Sequence, residues 1–166
     1  MAYRGVHFAL SDDDVSRLLA IASSEELEEF ITEEIEETYF EESREWVYET
    51  DHAWDAIHRC LGDGTLLYGT GPFPLSYAVL GGAALDAGED YTACLTTPEQ
   101  VAEVAEALRR TDASWFRSRF DSLSRTNTEF SAKGDFDYVW SNLDGLREFL
   151  ARAAKAKRHV LFTVDA

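Results

Sequence analysis

Cysteine, proline and long apolar runs are scarce in this 166-residue chain. With 2 cysteines and 3 prolines it lacks the composition of a disulfide scaffold or a proline-rich fibre. No window approaches the roughly 18 consecutive apolar residues of a membrane-spanning helix, and no signal peptide is recognisable at the start. These absences predict a cytoplasmic protein that does not associate with membranes, with Cys60 and Cys94 free and buried.

Positive charge is also scarce. The sequence has 15 Lys and Arg against 32 Asp and Glu, a formal net charge of -17. A field of this sign repels phosphate backbones and anionic lipids, so we expect no nucleic-acid binding. It favours association with basic partners.

The remaining composition is that of a globular protein. Hydrophobic residues make up 45% of the chain and aromatic residues 13%, whereas disordered chains lack these large apolar side chains. The length fits one domain covering residues 1–166.

Three stretches have strand composition, at residues 3–10, 91–95 and 159–166, and helical patterns fill much of the rest. The pattern predicts a helix-rich α+β domain with a small sheet formed by the terminal strands and a strand near residues 91–96.

Several helix starts carry capping signals. Ser11 is an expected N-cap, and Thr97, followed by Pro98 and Gln100, predicts a capping box. Another helix is expected from about Asp112 to Leu123. Further helices are expected over residues 51–64 with Asp51 as N-cap, over 76–80, and over about 142–157.

The helix expected at "DHAWDAIHRCLGDG" raises the question of a metal site. His52, Asp55 and His58 are at i, i+3 and i+6, spread over about 120° of the helix, whereas helical histidine ligand pairs use i, i+4. The sequence therefore predicts no metal site and no cofactor.

Trp54 and His58 lie one turn apart on the same helix, at the edge of its apolar stripe. Either His58 ties the helix to the glycine-rich loop that follows, or it lines a ligand pocket with Trp54 as an aromatic wall. In the second case Tyr68, Ser76 and Tyr77 would complete the ligand-binding site. Since the loop lacks the Gly-Lys-Ser/Thr of a P-loop and Ser76 lacks a G-x-S-x-G elbow, no catalytic residue is predicted and an enzyme is not favoured.

Glutamate dominates the run "EELEEFITEEIEETYFEE", which reads as a long amphipathic helix with Leu27, Phe30, Ile31, Ile35 and Tyr39 on one stripe. Solvated helices usually interleave lysine with glutamate to gain i, i+4 pairs, and this one does not. We expect either a plain solvated face or a surface for a basic protein. In the second case the domain is a non-catalytic acidic binding module, as a small inhibitor or immunity-like protein is. The predicted partner-binding residues are Glu33, Glu34, Glu36 and Glu37.

Five segments resemble a known family. They are "WDAIHRCLGDG", "PLSYAVLGGAAL", "CLTTPEQVAEVAEAL", "FDSL" and "LREFLARAAKAKRHVLFTV". Together they are similar to the YfbM-like family of small bacterial proteins of unknown function. The resemblance implies one compact domain and brings no catalytic residues. The chain departs from the family pattern at "RCLGDG" and "RTNTEFSAKG", where a Leu-Thr-Gly ending and a Tyr-Pro turn are expected.

Overall fold

A computed structural model describes residues 3–128, 130 and 136–165. Within this part of the chain five strands form one antiparallel sheet. They are β1 (Gly5–Leu10), β2 (Val47–Asp51), β3 (Ala83–Asp86), β4 (Tyr91–Thr96) and β5 (His159–Asp165). The order across the sheet is β2-β1-β5-β4-β3, which places the two terminal strands side by side at its centre.

Helices cover both faces of this sheet. They are α1 (Asp12–Leu19), α2 (Ser24–Glu29), a π-helical segment (Phe30–Glu36), α3 (Glu37–Glu42), α4 (Trp54–Leu61), α5 (Pro98–Arg109), α6 (Ala113–Thr126) and α7 (Phe136–Lys155). Short 3-10 turns lie at Arg44–Trp46 and Leu75–Tyr77. The α+β class and the small sheet with paired terminal strands are confirmed.

Alternation along the strands divides the core into two layers, because successive side chains of a strand point to opposite faces. On β1, Phe8 and Leu10 pack with α1, α2, the π segment and α3, while Ala9 packs with α4 to α7. On β5, Leu161 joins the first layer and Phe162 the second. Strands β1, β4 and β5 are therefore largely buried on both faces, whereas the edge strand β3 is mostly exposed.

Two of the predicted caps, at Ser11 and Thr97, are confirmed. The Ser11 hydroxyl accepts from the Asp14 amide. The Asp112 carboxylate, which was not predicted as a cap, accepts from the Trp115 amide at the start of α6. Thr97 forms the complete capping box, in which its hydroxyl accepts from the Gln100 amide and the Gln100 side chain accepts from the Thr97 amide.

The structure differs from the sequence-based expectations in four details. Strands β2 and β3 were not predicted. Asp51 ends β2 with a φ of 51° instead of capping a helix, and α4 begins at Trp54 without a side-chain cap. Helix α7 begins at Phe136, and the helix expected over 76–80 is only the turn Leu75–Tyr77. The departure at "RTNTEFSAKG" lies partly outside the described residues.

Across the described ranges, we find no helix that combines the length and the apolar character needed to span a membrane.

Candidate functional site

The segment from Ser24 to Glu42, here called the acidic helix, runs without a break through α2, the π segment and α3. Four of its five buried side chains follow a spacing of four residues, from Leu27 through Ile31 and Ile35 to Tyr39, and the fifth is Phe30. In a regular α-helix each such step drifts by about 40° around the axis. The wider turns of a π-helix, closed by i→i+5 hydrogen bonds, reduce this drift and keep all four residues on the sheet.

The acidic helix exposes nine glutamates to solvent, and this set is here called the acidic face. Its members are Glu25, Glu26, Glu28, Glu29, Glu33, Glu34, Glu37, Glu41 and Glu42. Within the described part of the chain only Glu34 among them has an ion-pair partner, Arg17. The face therefore carries a dense negative charge that the rest of the described protein leaves almost uncompensated.

The four glutamates predicted to bind a partner do not share one environment. Glu33 and Glu37 are exposed, and Glu34 is exposed and paired with Arg17. Glu36 is partly buried and turned toward the sheet, where its carboxylate accepts a hydrogen bond of 2.7 Å from the Tyr91 hydroxyl. Three of the predicted residues thus lie on the acidic face and the fourth lies beneath it.

A cavity of about 240 Å³, here called the Glu36 cavity, separates the acidic helix from the sheet. Its lining residues are Arg4, Val6, Thr32, Glu36, Phe40, Glu49, Tyr91, Thr163 and Asp165. Thr32, Glu36 and Phe40, spaced four residues apart on the acidic helix, form one wall of the cavity, and residues of the sheet form the floor. The strand register explains the floor, because Val6 lies opposite both Glu49 and Thr163, and Tyr91 lies opposite Asp165.

Burial and charge shape the electrostatics of the Glu36 cavity. Burial raises the pKa of Glu36, the hydrogen bond from Tyr91 opposes this, and the nearby charge of Asp165 raises it further. Burial, followed by the charge of Glu36, raises the pKa of the Tyr91 phenol. The hydroxyl is therefore held in its protonated, donating form.

This cavity has no counterpart among the sites predicted from the sequence. Glu36 sits in a run of glutamates with nothing in the local pattern to distinguish it. Its inward orientation depends on the π segment, and its neighbours come from strands that are distant in sequence. The four-residue spacing of Thr32, Glu36 and Phe40, parallel to that of the buried stripe, is the only signal the sequence offers.

Trp54 and His58 both direct a polar atom to a backbone carbonyl. The Trp54 indole donates to the carbonyl of Tyr3 at 2.7 Å, and its ring lies 5.9 Å from that of Phe162. His58 Nε2 is 2.9 Å from the carbonyl of Leu67, and burial lowers its pKa. This bond ties α4 to the following loop, as the structural interpretation of His58 predicts.

Tyr68, Ser76 and Tyr77 lie on the loop and turn between α4 and β3. The Tyr68 hydroxyl donates to the carbonyl of Gly82, and the Tyr77 ring lies 4.8 Å from Phe73 in an edge contact. Ser76 is buried, and its hydroxyl has no hydrogen-bond partner among the described residues.

The cysteines are both free and buried, as predicted. Burial raises the pKa of each thiol to about 12, so neither is poised as a thiolate nucleophile.

The architecture defines the molecule as an α+β protein with a central antiparallel sheet between two helical layers. Residues 1–163 match the model of the family described as "Domain of unknown function (DUF1877)", and the chain belongs to that family. No curated protein matches the chain. Among solved structures, the crystal structure of YfbM from Escherichia coli, a protein of unknown function, is similar to it. The TM-score is 0.66 with 20% sequence identity over 97% of this chain and 99% of that one, a likeness in fold.

Proposed function

We propose that this protein is a non-catalytic binding module whose acidic face docks a protein with a lysine- and arginine-rich surface. The observation that carries the proposal is the dense set of exposed glutamates on the acidic helix, of which only Glu34 has an ion pair in the described part of the chain. Like charges crowded on one helix repel one another, and a basic partner would relieve that repulsion. Such a module would act as a small inhibitor or immunity-like protein does.

The rigidity of the acidic helix supports this role. Its stripe packs into the core, and the Tyr39 hydroxyl donates to Asp14 at 2.7 Å while accepting from the Ser11 amide at 3.0 Å. A surface fixed in this way loses little conformational entropy when a partner binds. Glu33, Glu34 and Glu37 would form contacts with the partner, and Glu36 would contribute only through its charge.

A matched pair of charge reversals tests the proposal. The partner is captured from a host lysate at low salt, purified, and titrated by calorimetry against the wild type and two variants. Glu33→Lys/Glu37→Lys changes the acidic face. Glu99→Lys/Glu103→Lys makes the same change of net charge at exposed positions of α5. We expect only the first pair to weaken binding, by about tenfold or more. Equal effects of the two pairs, or none, would contradict a specific acidic docking face.

The alternative, a small-molecule or hydrolytic pocket centred on Trp54 and His58, has less support. Trp54 Nε1 and His58 Nε2 are engaged with the carbonyls of Tyr3 and Leu67. His58 Nδ1 and the Ser76 hydroxyl have no partner among the described residues, but both atoms are buried away from the surface. Cytoplasmic location also belongs to the proposal, and the two free thiols fit a reducing compartment.

A further inference from the structure

The Glu36 cavity has the features of a small ligand site that is separate from the acidic face. It is concave and has an apolar wall from Val6 and Phe40. Tyr91, only 6% exposed, presents its hydroxyl to Glu36 from the floor. A few fixed polar groups beside an apolar wall are typical of sites that orient small molecules.

The charges of the cavity are unequal. Three carboxylates line it against one guanidinium, that of Arg4. Arg4 lies 3.4 Å from Asp51, which does not line the cavity, and Glu49 is paired with Arg44 at 2.8 Å. In the described part of the chain Glu36 and Asp165 form no ion pair, and the nearby charge of Asp165 adds to burial in raising the pKa of Glu36. The cavity therefore has two carboxylates that a single organic cation would compensate.

We propose that the Glu36 cavity binds an alkylguanidinium or alkylammonium group, with the cation between Glu36 and Asp165 and the alkyl chain against Phe40 and Val6. The Tyr91 hydroxyl orients the Glu36 carboxylate by donating to one of its oxygens, Oε1, which leaves Oε2 to accept from the ligand. One face of the Phe40 ring is covered by the Arg44 guanidinium, 4.7 Å from the ring centroid. The part of Phe40 that lines the cavity offers apolar contact to the alkyl stem of the ligand. The described residues contain no group of three or more His, Cys, Asp or Glu side chains placed to hold a metal ion.

Three probes of similar shape test the charge requirement. Butylguanidinium, butylammonium and the neutral isostere butylurea are titrated into the folded protein, and binding is followed by calorimetry and by amide chemical shifts. We expect the two cations to bind saturably and butylurea to bind at least about tenfold more weakly, a difference of about 1.4 kcal/mol. Equal binding of butylurea, or no saturable binding of either cation, would overturn the proposal.

Charge-neutral variants locate the site. Glu36→Gln and Asp165→Asn each remove one carboxylate of the cavity and should weaken butylguanidinium binding about tenfold. Glu33→Gln removes the same charge from the neighbouring exposed turn and should change affinity by less than about twofold. Asp165→Asn keeps the test valid if Glu36→Gln fails to fold, since Asp165 is exposed. If Glu33→Gln weakened butylguanidinium binding as much as the two cavity variants do, the proposed location of the site would be wrong.

A fourth probe separates the two sources of such a cation. The peptide acetyl-Gly-Arg-Gly-amide carries the guanidinium on a backbone, as a partner protein would, and butylguanidinium stands for a free metabolite. Binding of both supports an arginine side chain as occupant, and binding of butylguanidinium alone supports a free small molecule. The proposed docking of a basic protein fails separately, because its test depends on Glu33 and Glu37 and not on the cavity.

Discussion

His7 shows at the scale of one residue how burial determines protonation. Its Nε2 lies 2.9 Å from the carbonyl of Ala78, so that atom carries the proton and donates it. The imidazole lies 4.7 Å from the ring of Phe162, and Nδ1 has no partner among the described residues. Burial lowers the pKa of His7 to about 4, so the folded protein keeps this side chain neutral.

The first prediction is that His7 makes the fold sensitive to acid. As the pH falls from the ordinary pKa of 6.5 toward about 4, the unfolded chain takes up a proton that the folded chain excludes. The free energy of unfolding should fall over this window by up to about 3 kcal/mol through His7 alone. Urea unfolding at about pH 7 and at about pH 4 measures this change in the free energy of unfolding.

The control for this prediction is His7→Gln, whose amide can donate to the Ala78 carbonyl and does not titrate. Its stability should fall less over the same pH range. His58 also has a pKa lowered by burial, but it is present in both proteins and cancels in the difference. Parallel pH profiles of the wild type and His7→Gln would show that His7 contributes nothing.

At the scale of elements, the close contact between α7 and β2 requires glycine at a helix position where glycine is intrinsically unfavourable. Gly145 lies inside α7, and a Cβ built on it would be 2.0 Å from the Tyr48 hydroxyl and 2.5 Å from its ring. Glycine lets β2 approach the helix at this point. The Tyr48 ring also packs against Phe149, with ring centroids 6.2 Å apart.

Gly145→Ala is therefore expected to destabilise the protein, although alanine stabilises an ordinary helix interior by about 1 kcal/mol relative to glycine. In a Tyr48→Ala background the same substitution should stabilise by about that amount, because the obstructing ring is gone. Chemical unfolding of the four proteins in this cycle measures both effects. A stabilising Gly145→Ala in both backgrounds would show that Tyr48 moves aside without cost.

Elements with local signals could be predicted from the sequence, and those that depend on distant partners could not. The capping box at Thr97 and the amphipathic stripe from Leu27 to Tyr39 need only neighbouring residues to act. Strand β3, Ala83–Asp86, has a helix-forming composition and becomes a strand through its pairing with β4.

The same division separates the two parts of the candidate site. The acidic face is visible in the sequence because glutamate without lysine is a local feature. The Glu36 cavity is not, because its floor arises from the register that brings Val6 opposite Thr163, more than 150 positions away in the chain.

At the scale of the whole molecule, the net charge of -17 destabilises the folded state through electrostatic repulsion. Added salt shortens the screening length from about 10 Å at 0.1 M to about 3 Å at 1 M. We therefore expect the melting temperature to rise with NaCl, while binding of a basic partner to the acidic face weakens over the same range.

The control is a variant in which Glu33, Glu37 and Glu41 are all replaced by glutamine. With part of the repulsion removed, its melting temperature should rise less with salt than that of the wild type, as measured by scanning calorimetry. An equal rise in both proteins would assign the effect to the general action of salt on hydration.

The central pairing of β1 with β5 has a consequence for synthesis on the ribosome. Of the five described strands, β5 emerges last, and it alone joins the β1–β2 pair to the β4–β3 pair. Until it arrives, β1 and β4 each expose one unpaired edge, which invites pairing with other nascent chains. Assembly of the complete sheet must therefore follow translation of β5. A nascent chain stalled before His159 would contain two separate strand pairs, each with an unpaired edge prone to aggregation.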